Sequence, residues 1–164
     1  MGLIPLPLTV LLAAAPGIAM TVSAPSVPEQ RTVPLAQEVF DAVLQQGDLP
    51  QLEQACEDSA RFSVNERLQL LRDRLMEVAP APQSFSVVMA NARALMVCKA
   101  PDSAQVVLSR YGPGPGRQRR EWLLLSWRAA STALDQRRAI LALQRLAEGD
   151  PSRLEGEQLI VGVD

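Results

Sequence analysis

The chain has 164 residues, 48% of them hydrophobic and only 4% aromatic, which is enough for one domain with a core built mainly from Leu, Val and Ala. Helices packed closely at small side chains suit that inventory better than a sheet sandwich. There is no histidine, which excludes the Ser-His and Cys-His nucleophile systems, the usual general base and most catalytic zinc sites.

Net charge is −2 but unevenly spread. Residues 29–77 hold ten acids and five arginines, whereas residues 93–153 hold eleven basic residues and five acids. Such a gradient can align stacked units, steer an acidic partner to the second half, or simply solvate the surface.

Residues 1–24 carry no charged side chain. The apolar run Leu8 to Ala15 has the length of a signal-peptide core and is too short to span a bilayer. Pro16 and Gly17 break it, and Gly17-Ile18-Ala19 offers a small-x-small cleavage site, although no Lys or Arg precedes the run. The expectation is an exported protein, periplasmic or extracellular, or one held at a membrane through residues 1–24 if they stay uncleaved; Pro5, Pro7 and Pro16 would disturb a spanning helix. Residues 25–34, with three prolines, read as a linker, and residues 35–164 as the folded domain.

Leu35, Val39, Phe40, Val43 and Leu44 follow helical spacing up to Gly47, expected as a C-terminal cap. Asp48 should cap a second helix, with Pro50 in its first turn and Leu52, Ala55 and Cys56 facing inward, so that the two helices form a first hairpin. Ser63-Val64-Asn65-Glu66 reads as a capping box before Leu68, Leu71, Leu75 and Met76, and Pro80 and Pro82 should stop that third helix. Helices are expected near residues 85–98, 102–111, 120–131 and 135–148; a strand pair is the rival for the first two, given Val87, Val88, Val97, Val106 and Val107. Residues 157–163 fit a short helix or a strand.

The repeat favours helices. Offset by 35 residues, Arg93, Ala94, Ala104, Leu108, Arg110 and Gly114 fall on Arg128, Ala129, Ala139, Leu143, Arg145 and Gly149. Ala104 with Leu108, and Ala139 with Leu143, lie four apart and share a helix face. On these residues the chain resembles the tetratricopeptide family of helix hairpins, over residues 85–154. Ala92 and Leu95 match the small and large positions of the first helix, and Ala104, Leu108, Ala139, Leu143 and Pro151 match their counterparts. Trp127 stands where a small residue belongs and Ala130 where a large one does. The resemblance implies an all-α fold of antiparallel helix hairpins stacked as a short α-solenoid, binding a protein or peptide.

Few side chains suggest chemistry. Cys56 and Cys98 either form a disulfide, worth something near 3–4 kcal/mol by loop entropy, or are two buried small hydrophobes. Arg117, Arg119 and Arg120, with Arg110 and Tyr111 across the Gly-Pro loop, form the densest basic cluster, where a polyanion could sit. The chain lacks the clustered aromatics of single-strand binders, which argues against nucleic acid. Pro113 and Pro115 remove the donors a phosphate loop needs. Trp122 and Trp127 point to different sides of one helix, and Trp122 beside Glu121 is the candidate partner contact. Glu53 and Glu57 lie one turn apart, without an aromatic cleft in which a glycosidase would use them. No cofactor is expected. The reading is a non-enzymatic repeat scaffold that binds a protein or peptide partner or self-associates through its C-terminal end. The alternatives are a small enzyme using Arg and carboxylates, or a polyanion-binding module.

Overall fold

A computed structural model describes residues 32–78 and 83–155. Among these residues there are seven α-helices and one 3-10 turn, and no strand. The helices are α1 (Gln37–Gln46), α2 (Leu49–Arg61), α3 (Asn65–Glu77), α4 (Phe85–Val97), α5 (Pro101–Leu108), α6 (Arg117–Thr132) and α7 (Gln136–Ala147), followed by the turn Pro151–Leu154. Residues 1–31, on which the expected export signal falls, Pro80, Pro82 and residues 157–163 lie outside the described residues. No described helix is long and apolar enough to cross a membrane.

Local chemistry starts most of these helices where spacing predicts. Asp48 and Gln51 form a reciprocal capping box at α2, with Pro50 in the first turn. Ser84 caps α4, Pro101 opens α5, and the Asp135 carboxylate accepts from Arg138 N at 3.0 Å to open α7.

Two expected caps form differently. Gly47 has φ −65° and ψ 143°, an extended residue between α1 and α2 rather than a left-handed one. Ser63 caps nothing: it sits at φ 56°, and α3 starts without a side-chain cap. The reason is that only three residues separate α2 from α3, and closing α2 takes precedence. The Val64 amide reaches back to the Ser59 carbonyl at 2.9 Å, which requires the left-handed residue between them.

The same joint occurs twice more. Ala100 N bonds Leu95 O and Asp135 N bonds Ala130 O, each at 2.9 Å, with Lys99 and Leu134 left-handed at φ 56° and 59°. Ser63, Lys99 and Leu134 are thus 36 and 35 residues apart, close to the 35-residue offset read in the sequence. This joint closes α2 on α3, α4 on α5 and α6 on α7; α1 and α2, joined across Gly47-Asp48, also pack on each other as expected. The first helix of the second hairpin, α4, packs on α2, α3, α5 and α6.

Fully buried side chains include Phe40, Leu52, Leu71, Leu75, Val88, Leu95, Val107 and Leu108. Arginines tie the units together through backbone carbonyls. Arg72 donates from Nε to Cys98 O at 2.8 Å and from Nη2 to Lys99 O at 3.2 Å, joining α3 to the second joint. Arg67 donates to Leu35 O at 2.7 Å and lies 4.6 Å over the Phe40 ring, which docks α1. Cys56 on α2 and Cys98 after α4 are joined by a disulfide, with both residues fully buried.

The repeat positions of the resemblance are only partly equivalent in burial. Ala92, Leu95, Ala104 and Leu108 are buried, but in α7 the buried pair is Ala142 and Leu146, not Ala139 and Leu143. Among the described residues α5 is covered by α3, α4 and α6, whereas α7 contacts only α6 and the 3-10 turn, and Ala139 and Leu143, on the same face of α7 as Ala142 and Leu146, stay half-buried.

Candidate binding grooves of the third hairpin

Two grooves meet at the third hairpin. The first holds ~360 Å³ between α5, α6 and α7, and its floor and walls include Leu108, Tyr111, Trp122, Leu123, Leu141 and Ala142. Its polar rim is Gln105, Ser109, Ser126, Arg138 and Arg145. Trp122 is half-buried and fixed by its indole N–H, which donates to Leu108 O at 3.0 Å, leaving the ring to line the groove. Trp127, five residues on, is buried. Gln105 donates to the Ser126 carbonyl at 2.6 Å, while the Ser126 hydroxyl, only 8% exposed, has no hydrogen-bond partner among the described residues. A buried hydroxyl without a partner costs stability unless something enters to bond it.

The second groove, ~380 Å³, runs between the start of α6 and the end of α7. Because these helices form a hairpin, Arg117, Arg119 and Arg120 come beside Arg145, Glu148 and Arg153. Arg117 pairs with Glu121 one turn on, at 2.8 Å, and Arg153 pairs with Glu148. Leu123 and Arg145 line both grooves.

Of the residues that stand out in the sequence as candidate contacts, Arg117, Arg119, Arg120 and Trp122 gather around these two grooves. Arg110 does not line them: it turns to the Met76 carbonyl at 3.2 Å, tying α5 to the end of α3. Ser126, Arg138, Leu141 and Arg145 belong to the grooves without standing out in the sequence. One signal was available, since Arg138, Leu141 and Arg145 fall at spacings of three and four and share a face of α7.

The acidic pair of α2 is a stability feature. Burial and the neighbouring Glu57 carboxylate push the Glu53 carboxyl up from its ordinary value, with Arg93 opposing. A carboxyl raised in the folded state favours folding while protonated, and that contribution is lost as pH rises from the ordinary value of 4.5 through the raised one. Glu53→Gln should therefore unfold at a higher temperature than the parent at pH 7, and the gap should close as the pH falls to about 4. An equal gap at both pH values in thermal melts would remove the assignment. Asp150 is pushed the other way, by the Ser152 hydroxyl and amide that donate to it.

Among the described residues no group of three or more Cys, Asp or Glu is placed to hold a metal ion. No protein-family model matches this sequence, and comparison with curated proteins and with solved structures found no match.

Proposed function

We propose that this chain is a non-enzymatic scaffold, a short α-solenoid of three tetratricopeptide-like hairpins, that binds a protein or peptide partner through the grooves of its third hairpin. Three identical joints at a 35–36-residue spacing support the solenoid reading. The observation that carries the binding reading is the Trp122 groove. A fixed indole, a tyrosine and exposed Leu141 line one groove with a polar edge, which suits an apolar side chain entering there. The buried disulfide supports a place outside the cytoplasm, in an oxidising compartment.

A photo-crosslinking benzoylphenylalanine in place of Ser109, which is exposed at the groove rim, tests the reading in the protein's own cells. The expected result is one discrete adduct, lost when Leu141→Glu is added. The same probe in place of Gln69, exposed on α3, should give none. No adduct from position 109, or the same adduct from both positions, would reject the groove as the binding surface.

A further inference from the structure

Of the arginines that line the second groove, Arg117 pairs with Glu121 and Arg153 with Glu148, while Arg119 and Arg145 present their charge to it. The start of α6 adds positive potential: Gly116 supplies no cap, the first turn contains no acid, and the helix dipole there is positive. An anionic occupant suits that potential, and guanidinium forks suit carboxylates by bidentate bonding.

We infer that both grooves are filled by one occupant, an acidic segment of a partner polypeptide in which an apolar side chain is flanked by Asp or Glu. This rests on the peptide-binding reading above. The apolar side chain enters beside Trp122 and Leu141, and the carboxylates lie on the arginines. Arg145 lines both grooves, so it sits where the two kinds of contact meet. A long polyphosphate fits less well. It would leave the apolar groove unfilled and meet the acidic first half of the chain.

The test is selection of a random dodecapeptide display library against the folded chain, followed by affinity measurement on a selected peptide. Survivors should be enriched in Asp and Glu around an apolar residue. Their affinity should fall about tenfold or more with Arg145→Glu or Arg119→Glu, and should weaken with added salt. Circular dichroism and thermal melting check that each variant folds, and Arg145→Gln, which introduces no new charge, stands in if Arg145→Glu does not. Survivors without an acidic excess, lost with Leu141→Glu but indifferent to the arginine reversals, overturn this inference and leave the peptide-binding reading standing. Ready displacement of the selected peptide by a single-stranded oligonucleotide overturns it in favour of a general polyanion site. An empty selection overturns the peptide-binding reading itself.

Discussion

Reducing the Cys56–Cys98 bridge should lower the free energy of unfolding by about 4 kcal/mol, the loop-entropy value for a 42-residue separation. That is a large share of the roughly 5–15 kcal/mol typical of a domain. The bridge links α2, in the first hairpin, to the end of α4, in the second, so it adds a covalent constraint to two units that otherwise meet through packing and hydrogen bonds. Both cysteines are fully buried, and a reductant reaches them only when these units open. Urea unfolding with and without a thiol reductant measures the effect, the reduced chain showing the lower midpoint and a steeper slope from its more expanded unfolded state. Thiol titration of the native, unreduced protein should find no free thiol. Two free thiols, or a reduced protein as stable as the oxidised one, would remove the bridge from the stability of the fold.

How much of this is legible in the sequence depends on whether a local rule is obeyed. Asp48, Ser84, Pro101 and Asp135 carry ordinary helix-start chemistry, and the helices begin beside them. The joints give no such signal, because the left-handed positions are occupied by Ser63, Lys99 and Leu134 and not by glycine. Ser63 even imitates the start of a capping box. With the joints hidden, the pairings of α2 with α3, α4 with α5 and α6 with α7 that they close carry no mark in the sequence. The grooves are harder still. Trp122 and the arginines at the start of α6 stand out in the sequence, but Ser126 on α6 and Arg138 and Arg145 on α7 become part of a site only when α6 and α7 close on each other. Arg110 shows the converse: adjacent to the cluster in sequence, it is drawn away by a carbonyl of α3.

Two core truncations should separate the centre of this helical domain from its edge. Leu95→Ala removes a fully buried side chain from α4, the helix that packs on α2, α3, α5 and α6, and should cost about 2–5 kcal/mol of global stability. Its effect should appear in all hairpins, since no unit can open without exposing α4. Phe40→Ala removes a larger and equally buried side chain, and cavity formation alone would cost about 3–5 kcal/mol. Among the described residues, however, helix α1 touches only α2 and α3, with Phe40 under Arg67 as its one fully buried side chain. The chain can therefore release α1 and keep the three hairpins, which caps the global loss below the cavity value. Hydrogen exchange distinguishes the two. Phe40→Ala should lose protection in α1 while α4 to α7 keep theirs, and Leu95→Ala should lower protection throughout. A Phe40→Ala variant that exchanges uniformly faster would mean that α1 is a cooperative part of the stack and not an appendage to its first hairpin.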